Sequence, residues 1–240
     1  MIFTRQTAMQ QIEELVKTYP LLHIANSDSQ QIKLSGRILI HRSIPDFVLR
    51  KEYALDVIIP IGIEKVPFVI DSEKEIDRSY EHVYPNGRLC LETDIAIHNR
   101  FRDGLVLTEW MRDFVEPYYM TYEYYQVYGE YPFGERSHGI EGIIESYQEV
   151  LNTPSSEEAY RLLCFIVEHS YRGHLRCPCE SGKRIRNCHG KYMEPFYCNE
   201  AMKLQLEKDI ELWEKHREKK TKYNSITTKR GGNVKTPGVS

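Results

Sequence analysis

The chain has 240 residues, of which 41% are hydrophobic and 28% charged, and its formal net charge is -3. These are ordinary globular values, and the slightly negative total argues against nucleic acid or an anionic membrane as partner. No apolar run approaches the ~18 residues that span a bilayer. The start MIFTRQTAMQQ lacks the basic and apolar regions of a signal peptide, so a cytoplasmic protein is expected.

In chain order, the first predicted element is an amphipathic helix over 4–19. Ala8, Ile12, Leu15, Val16 and Tyr19 share one face, and Pro20 closes it. Period-2 alternation follows three times: Ile32, Leu34, Ile38 and Ile40 around Gly36; Tyr53, Leu55, Val57 and Ile59 up to Pro60; then Val66, Phe68 and Ile70. Three consecutive strands separated by turns predict an antiparallel meander. Residues 71–103 show no period. A helix over 105–118 presents Leu107, Trp110, Met111, Phe114 and Val115. Seven tyrosines then crowd into fourteen positions, 118–131; packing onto the sheet is expected ahead of a partner surface. Helices follow at about 140–151 and 156–170, the second capped by Ser155 or Ser156, with Cys164 beside its apolar stripe as a core thiol. After Pro195 a charged helix is predicted over 199–220. The polar, Gly-containing residues 221–240 are expected to be a disordered basic tail.

Three of the six cysteines lie between 177 and 188. In a reducing compartment such a cluster points to metal rather than disulfides. Cys177, Cys179, Cys188 and His189 form a Cys-x-Cys pair, an eight-residue spacer and a Cys-His pair. Four soft or borderline donors suit tetrahedral Zn²⁺ and leave no open position, so the site is expected to be structural. Beside it, Lys183, Arg184 and Arg186 form a basic knuckle: a solvated face, or a surface for an acidic protein or RNA.

The stretch Cys177-Pro178-Cys179-Glu180-Ser181-Gly182-Lys183, ending in Cys188-His189-Gly190, resembles the SEC-C motif. This short zinc-binding module closes bacterial SecA and many other bacterial proteins. The resemblance implies one zinc on those four ligands and a role as an adaptor that docks partner proteins.

Cys90 follows a Pro85-Asn86-Gly87 turn between Leu89 and Leu91, which can anchor the segment while the thiol faces out. His82 precedes it by eight residues, and Glu92 and Asp94 follow. Together with the helix–meander–cysteine–helix order, Ile59-Pro60 and Val66-Pro67-Phe68, the segment His82 to Leu91 is similar to the active-site region of ubiquitin-conjugating (E2) enzymes. Specifically, it is similar to divergent bacterial E2-like proteins, some of them in CBASS-type anti-phage operons. The family's His-Pro-Asn tripeptide is absent, and His82 holds the position of its oxyanion-binding Asn.

The resemblance implies an α+β fold in which an E2-like meander sheet packs with helices over 1–150. A helical segment with the zinc motif (177–190) follows over 151–220. It also implies acyl transfer. Cys90 would carry a protein's C-terminal acyl group as a thioester received from an activating enzyme, and a target lysine would take it. His82 or Asn86 would steady the oxyanion, and Glu92 or Asp94 would position the lysine. The implied partners are the activating enzyme, a ubiquitin-like carrier and a target such as a cGAS-like nucleotidyltransferase. Two other readings stand beside this one: an E2-fold binding module without turnover, and a zinc adaptor on an unrelated α+β domain.

Overall fold

The computed structural model describes residues 2–134 and 136–230. Thr4 starts helix α1 (Arg5–Thr18) with a reciprocal cap: its hydroxyl accepts the Thr7 N–H, and the Thr7 hydroxyl accepts the Thr4 N–H. Ala8, Ile12 and Leu15 form the buried face of this helix. Four strands follow: β1 (Leu22–Ser27), β2 (Gln31–Ile44), β3 (Phe47–Pro60) and β4 (Phe68–Asp71). They pair antiparallel in sequence order, as a meander.

The expected strands are β2, β3 and β4. The first strand, β1, escapes the alternation test because five of its six residues are exposed and only Leu22 is buried. Gly36 shows why β1 fits there. Its φ is +150°, and a Cβ would lie 2.1 Å from the Leu21 carbonyl oxygen, so a side chain would push β1 off the sheet.

The inner face of the sheet carries Ile32, Leu34, Ile38, Ile40, Tyr53, Leu55, Val57 and Ile59, all essentially inaccessible. Across it lies a continuous helical rod: α3 (Leu107–Trp110), a π-turn (Met111–Val115) and α4 (Glu116–Tyr128). Pro117 accounts for the widened turn. It has no N–H and its ring crowds the carbonyl of Asp113, so Glu116 N–H reaches back five residues to Met111 O. The tyrosines pack as expected: Tyr118, Tyr119 and Tyr122 are buried, and Tyr119 stacks on Tyr53 at 4.1 Å between ring centroids.

A second hydrophobic core is built by α5 (Ile140–Leu151), α6 (Ser156–Glu168), α7 (Gly190–Cys198) and α8 (Glu200–Arg230). Tyr147, Leu162, Leu163, Phe196, Met202 and Trp213 fill it. The short helix α2 (Asp94–Arg100) joins the two cores, giving Ile95 to the second and Ile97 to the first. Pro195 lies inside α7, and α8 runs to Arg230. Residues 231–240 of the expected tail lie outside the described residues. The architecture is α+β with a four-stranded antiparallel sheet. Among the described residues no helix is long and apolar enough to cross a membrane.

Candidate functional site

Residues 82–90 form a small hairpin on the edge of the sheet. Cys90 N–H donates to His82 O at 2.8 Å, and Tyr84 N–H donates to Arg88 O at 2.8 Å. Val83 and Leu89 are bridge partners between those two bonds. The turn needs Gly87, whose φ is +84° and whose N–H bonds to Tyr84 O. The returning arm docks on β4, with Leu89 N–H donating to Val69 O.

Alternation then sorts the side chains. Val83 and Leu89 are buried. His82, Tyr84, Arg88 and Cys90 share the opposite face and line a cleft of about 910 Å³. The pairing sets His82 and Cys90 directly opposite each other, with Cα atoms about 5.5 Å apart in such a pair.

The Tyr84 hydroxyl donates to Cys90 Sγ at 3.8 Å. Burial pushes the Cys90 thiol above its usual range; the Tyr84 hydrogen bond opposes this, and the Glu92 charge adds to it. The His82 ring sits among aromatic neighbours, with centroids 4.5 Å from His138, 5.2 Å from Tyr80 and 5.5 Å from Tyr131. The His82 carbonyl also accepts the Tyr118 hydroxyl at 3.0 Å, so the rod behind the sheet holds the hairpin in place.

The other expected residues separate. Asp94, in the first turn of α2, lines the cleft, and burial raises its carboxyl above the ordinary range. Glu92 is engaged by Arg136 at 2.9 Å, and Arg136 also holds Glu149 at 2.8 Å. Asn86 is exposed at the turn, where its Oδ1 accepts the Arg88 N–H at 3.1 Å, and it does not line the cleft. Sequence reasoning passed over Tyr84, although its even spacing from His82 and Cys90 across a hairpin was a usable signal. It also passed over α8, which gives Gln205 and Asp209 to the cleft wall. Asp209 is held by the Tyr147 hydroxyl and the Gln205 amide, each at 3.0 Å, and burial pushes its carboxyl up to about 6.

The second cluster is metal-competent. The donor atoms of Cys177, Cys179, Cys188 and His189 all lie within 4.8 Å of one another. Cys179 Sγ is 3.5 Å from Cys188 Sγ, and His189 Nδ1 is 3.4 Å from the sulfurs of Cys177 and Cys188. The Ser181 hydroxyl lies 3.1 Å from Cys179 Sγ and 3.4 Å from Cys188 Sγ. On the far side of the ring, His189 Nε2 faces the Glu158 carboxylate of α6 at 3.6 Å. A carboxylate in that place orients a ligating imidazole and strengthens it as a donor.

No protein-family model, curated protein or solved structure matches the chain. The functional reading therefore rests on the geometry of the two clusters and on the motif resemblance.

Proposed function

We propose that the chain is an E2-like carrier. Cys90 takes a protein's C-terminal acyl group as a thioester and passes it to a lysine of a target protein, and one structural Zn²⁺ organises the C-terminal module. The carrying observation is the hairpin that sets Cys90, His82 and Tyr84 on one face of a cleft at the edge of a meander sheet.

In the loading step the Cys90 sulfur attacks the thioester on an activating enzyme. The new S–C bond forms, and the leaving thiol takes the proton that Cys90 gives up. In the transfer step a neutral lysine amine attacks the same carbonyl. The C–N bond forms, the C–S bond breaks, and an amine proton returns to sulfur. The raised pKa of Cys90 favours that recapture. Both steps build negative charge on the carbonyl oxygen. His82 and Tyr84, which line the same cleft as Cys90, would donate to it, and one such donor is worth about 2.7–4 kcal/mol in a protease. Asp94, at the cleft wall, would take the proton that the lysine ammonium gives up before it attacks as the neutral amine.

The metal cluster fits zinc. Sulfurs at Zn–S distances in a tetrahedron lie about 3.8 Å apart, and a sulfur and an imidazole nitrogen about 3.6 Å. The separations of 3.5 and 3.4 Å are close to those edges. Zn²⁺ held by Cys177, Cys179, Cys188 and His189 would supply cross-linking, not catalysis, since these four donors would leave no open position.

The test mixes the protein with carrier and activating proteins from its genomic neighbourhood, followed by non-reducing intact mass spectrometry on wild type and Cys90→Ala. The expected result is an adduct of the carrier's mass that disappears on reduction and is absent in the variant. No adduct on folded, zinc-loaded protein would favour a binding module without turnover.

A further inference from the structure

The metal cluster sits at the base of a two-stranded ribbon with a concentrated positive charge. Residues 172–191 carry Arg172, Arg176, Lys183, Arg184, Arg186 and Lys191 against the single carboxylate of Glu180. A Zn²⁺ bound by three thiolates adds only one negative charge. All six cations are exposed. Most arginines elsewhere are neutralised: Arg37, Arg42, Arg78, Arg100, Arg136 and Arg217 each pair with a carboxylate, whereas among the described residues Arg5, Arg50, Arg88 and Arg102 stand singly without one. Among the described residues, Arg172, Arg176, Arg184 and Arg186 pair with none. The net charge of -3 hides this asymmetry, and the objection to nucleic acid drawn from that total does not reach the ribbon.

The backbone makes the crowding specific. Cys177 N–H donates to Lys183 O at 2.8 Å, and Ile185 N–H donates to Leu175 O at 2.9 Å. Arg176 and Arg184 are bridge partners between those bonds. This is the closer type of cross-strand pair, with Cα atoms about 4.5 Å apart. Ile185 is buried, which leaves the two arginines on the outer face. Like charges set directly opposite destabilise a ribbon, and a bound anion reverses the sign of that interaction.

We propose that this ribbon binds the phosphate backbone of a single-stranded nucleic acid, with Arg176 and Arg184 as the central contact. The surface composition separates this from an acidic protein partner. Protein interfaces need an apolar centre, whereas nucleic-acid interfaces are polar and strongly positive. Tyr171 is the one large apolar side chain exposed at the ribbon; its ring packs edge-on against Tyr197 at 5.5 Å between centroids, and its exposed part beside the cations suits stacking with a base.

The experiment is fluorescence anisotropy of a labelled 20-nucleotide RNA of mixed sequence with the full chain, between 50 and 200 mM salt. Wild type, Arg176→Ser/Arg184→Ser and the control Arg50→Ser are compared, with zinc content measured for each. Binding is expected in the micromolar range, with affinity falling steeply as salt rises. The double variant should keep its zinc, bind about tenfold more weakly and lose about 1.4 from the log–log salt slope, the share of two single-strand phosphate contacts. Arg50→Ser should bind like wild type. The proposal is overturned if the RNA does not bind, if Arg50→Ser weakens it as much as the double variant, or if a polyglutamate of equal charge displaces the RNA stoichiometrically.

Discussion

The two cores of this molecule hold together by different means. The sheet core is large and continuous, with β2 and β3 paired over fourteen residues each and roofed by the helical rod. Its polar groups are tied in locally: Tyr53 donates to Glu123, and Asp71 accepts the N–H groups of Glu75 and Ile76 at 2.9 and 3.1 Å. The helical core is smaller, and the segment between α6 and α7 has little apolar surface of its own beyond Ile185 and Leu175. There the cluster of Cys177, Cys179, Cys188 and His189 could hold a metal ion, which would substitute for a core. The contrast teaches that apolar pattern specifies the first region, whereas the second joins a smaller apolar core to a cluster of metal-competent donors.

The largest expected effect breaks the second region alone. Cys177→Ser should release the metal, and structural zinc is worth about 10–16 kcal/mol in isolated fingers. Hydrogen exchange should show protection lost across α7 and residues 171–190 while β2 and β3 stay protected. Equal loss in both regions would show the cores to be one cooperative unit.

The mirror experiment is Trp110→Ala. Trp110 is completely buried in the sheet core, and its removal should cost about 3–5 kcal/mol by chemical denaturation, with zinc content unchanged.

Asp209 probes the seam between the regions. Its folded pKa is raised from 3.8 to about 6, so its stabilising contribution is complete below pH 4 and is lost as pH rises through 6. Asp209→Asn should remove that decline, about 3 kcal/mol, read as the difference between the two proteins' stabilities at pH 4 and pH 7. An identical decline in the variant would assign it to another group.

The smallest effect sharpens the site. Tyr84→Phe removes the hydroxyl that opposes the raised Cys90 pKa, and alkylation of Cys90 at pH 8 should slow by about threefold. A faster reaction would mean that Tyr84 shields the thiol instead of stabilising its thiolate.

The pattern of what was legible follows the same division. Helices α1, α5 and α6 and strands β2 and β3 were readable because each buries one face, and burial writes a period into the residues. Strand β1 and helix α2 were not readable: one is nearly all exposed, and the other has seven residues and answers to two cores. The metal-competent cluster was legible as a set because spacing and residue type define its donors. Cys90 and His82 stood out, but Tyr84 did not, because its place depends on a hairpin register that no local period announces. Asn86 shows the converse. Close in sequence to Cys90, it spends its side chain on the turn.

By itself the sequence determined the α+β class, the sheet core and the four donors of the metal cluster, since each depends on residue type and short-range spacing. Only the tertiary structure decided that α8 walls the Cys90 cleft, that His82 is held among aromatic rings, and that Arg176 faces Arg184 without a carboxylate. These depend on which surfaces meet after the chain has folded, and contacts between distant segments leave no periodic trace in the residues that make them.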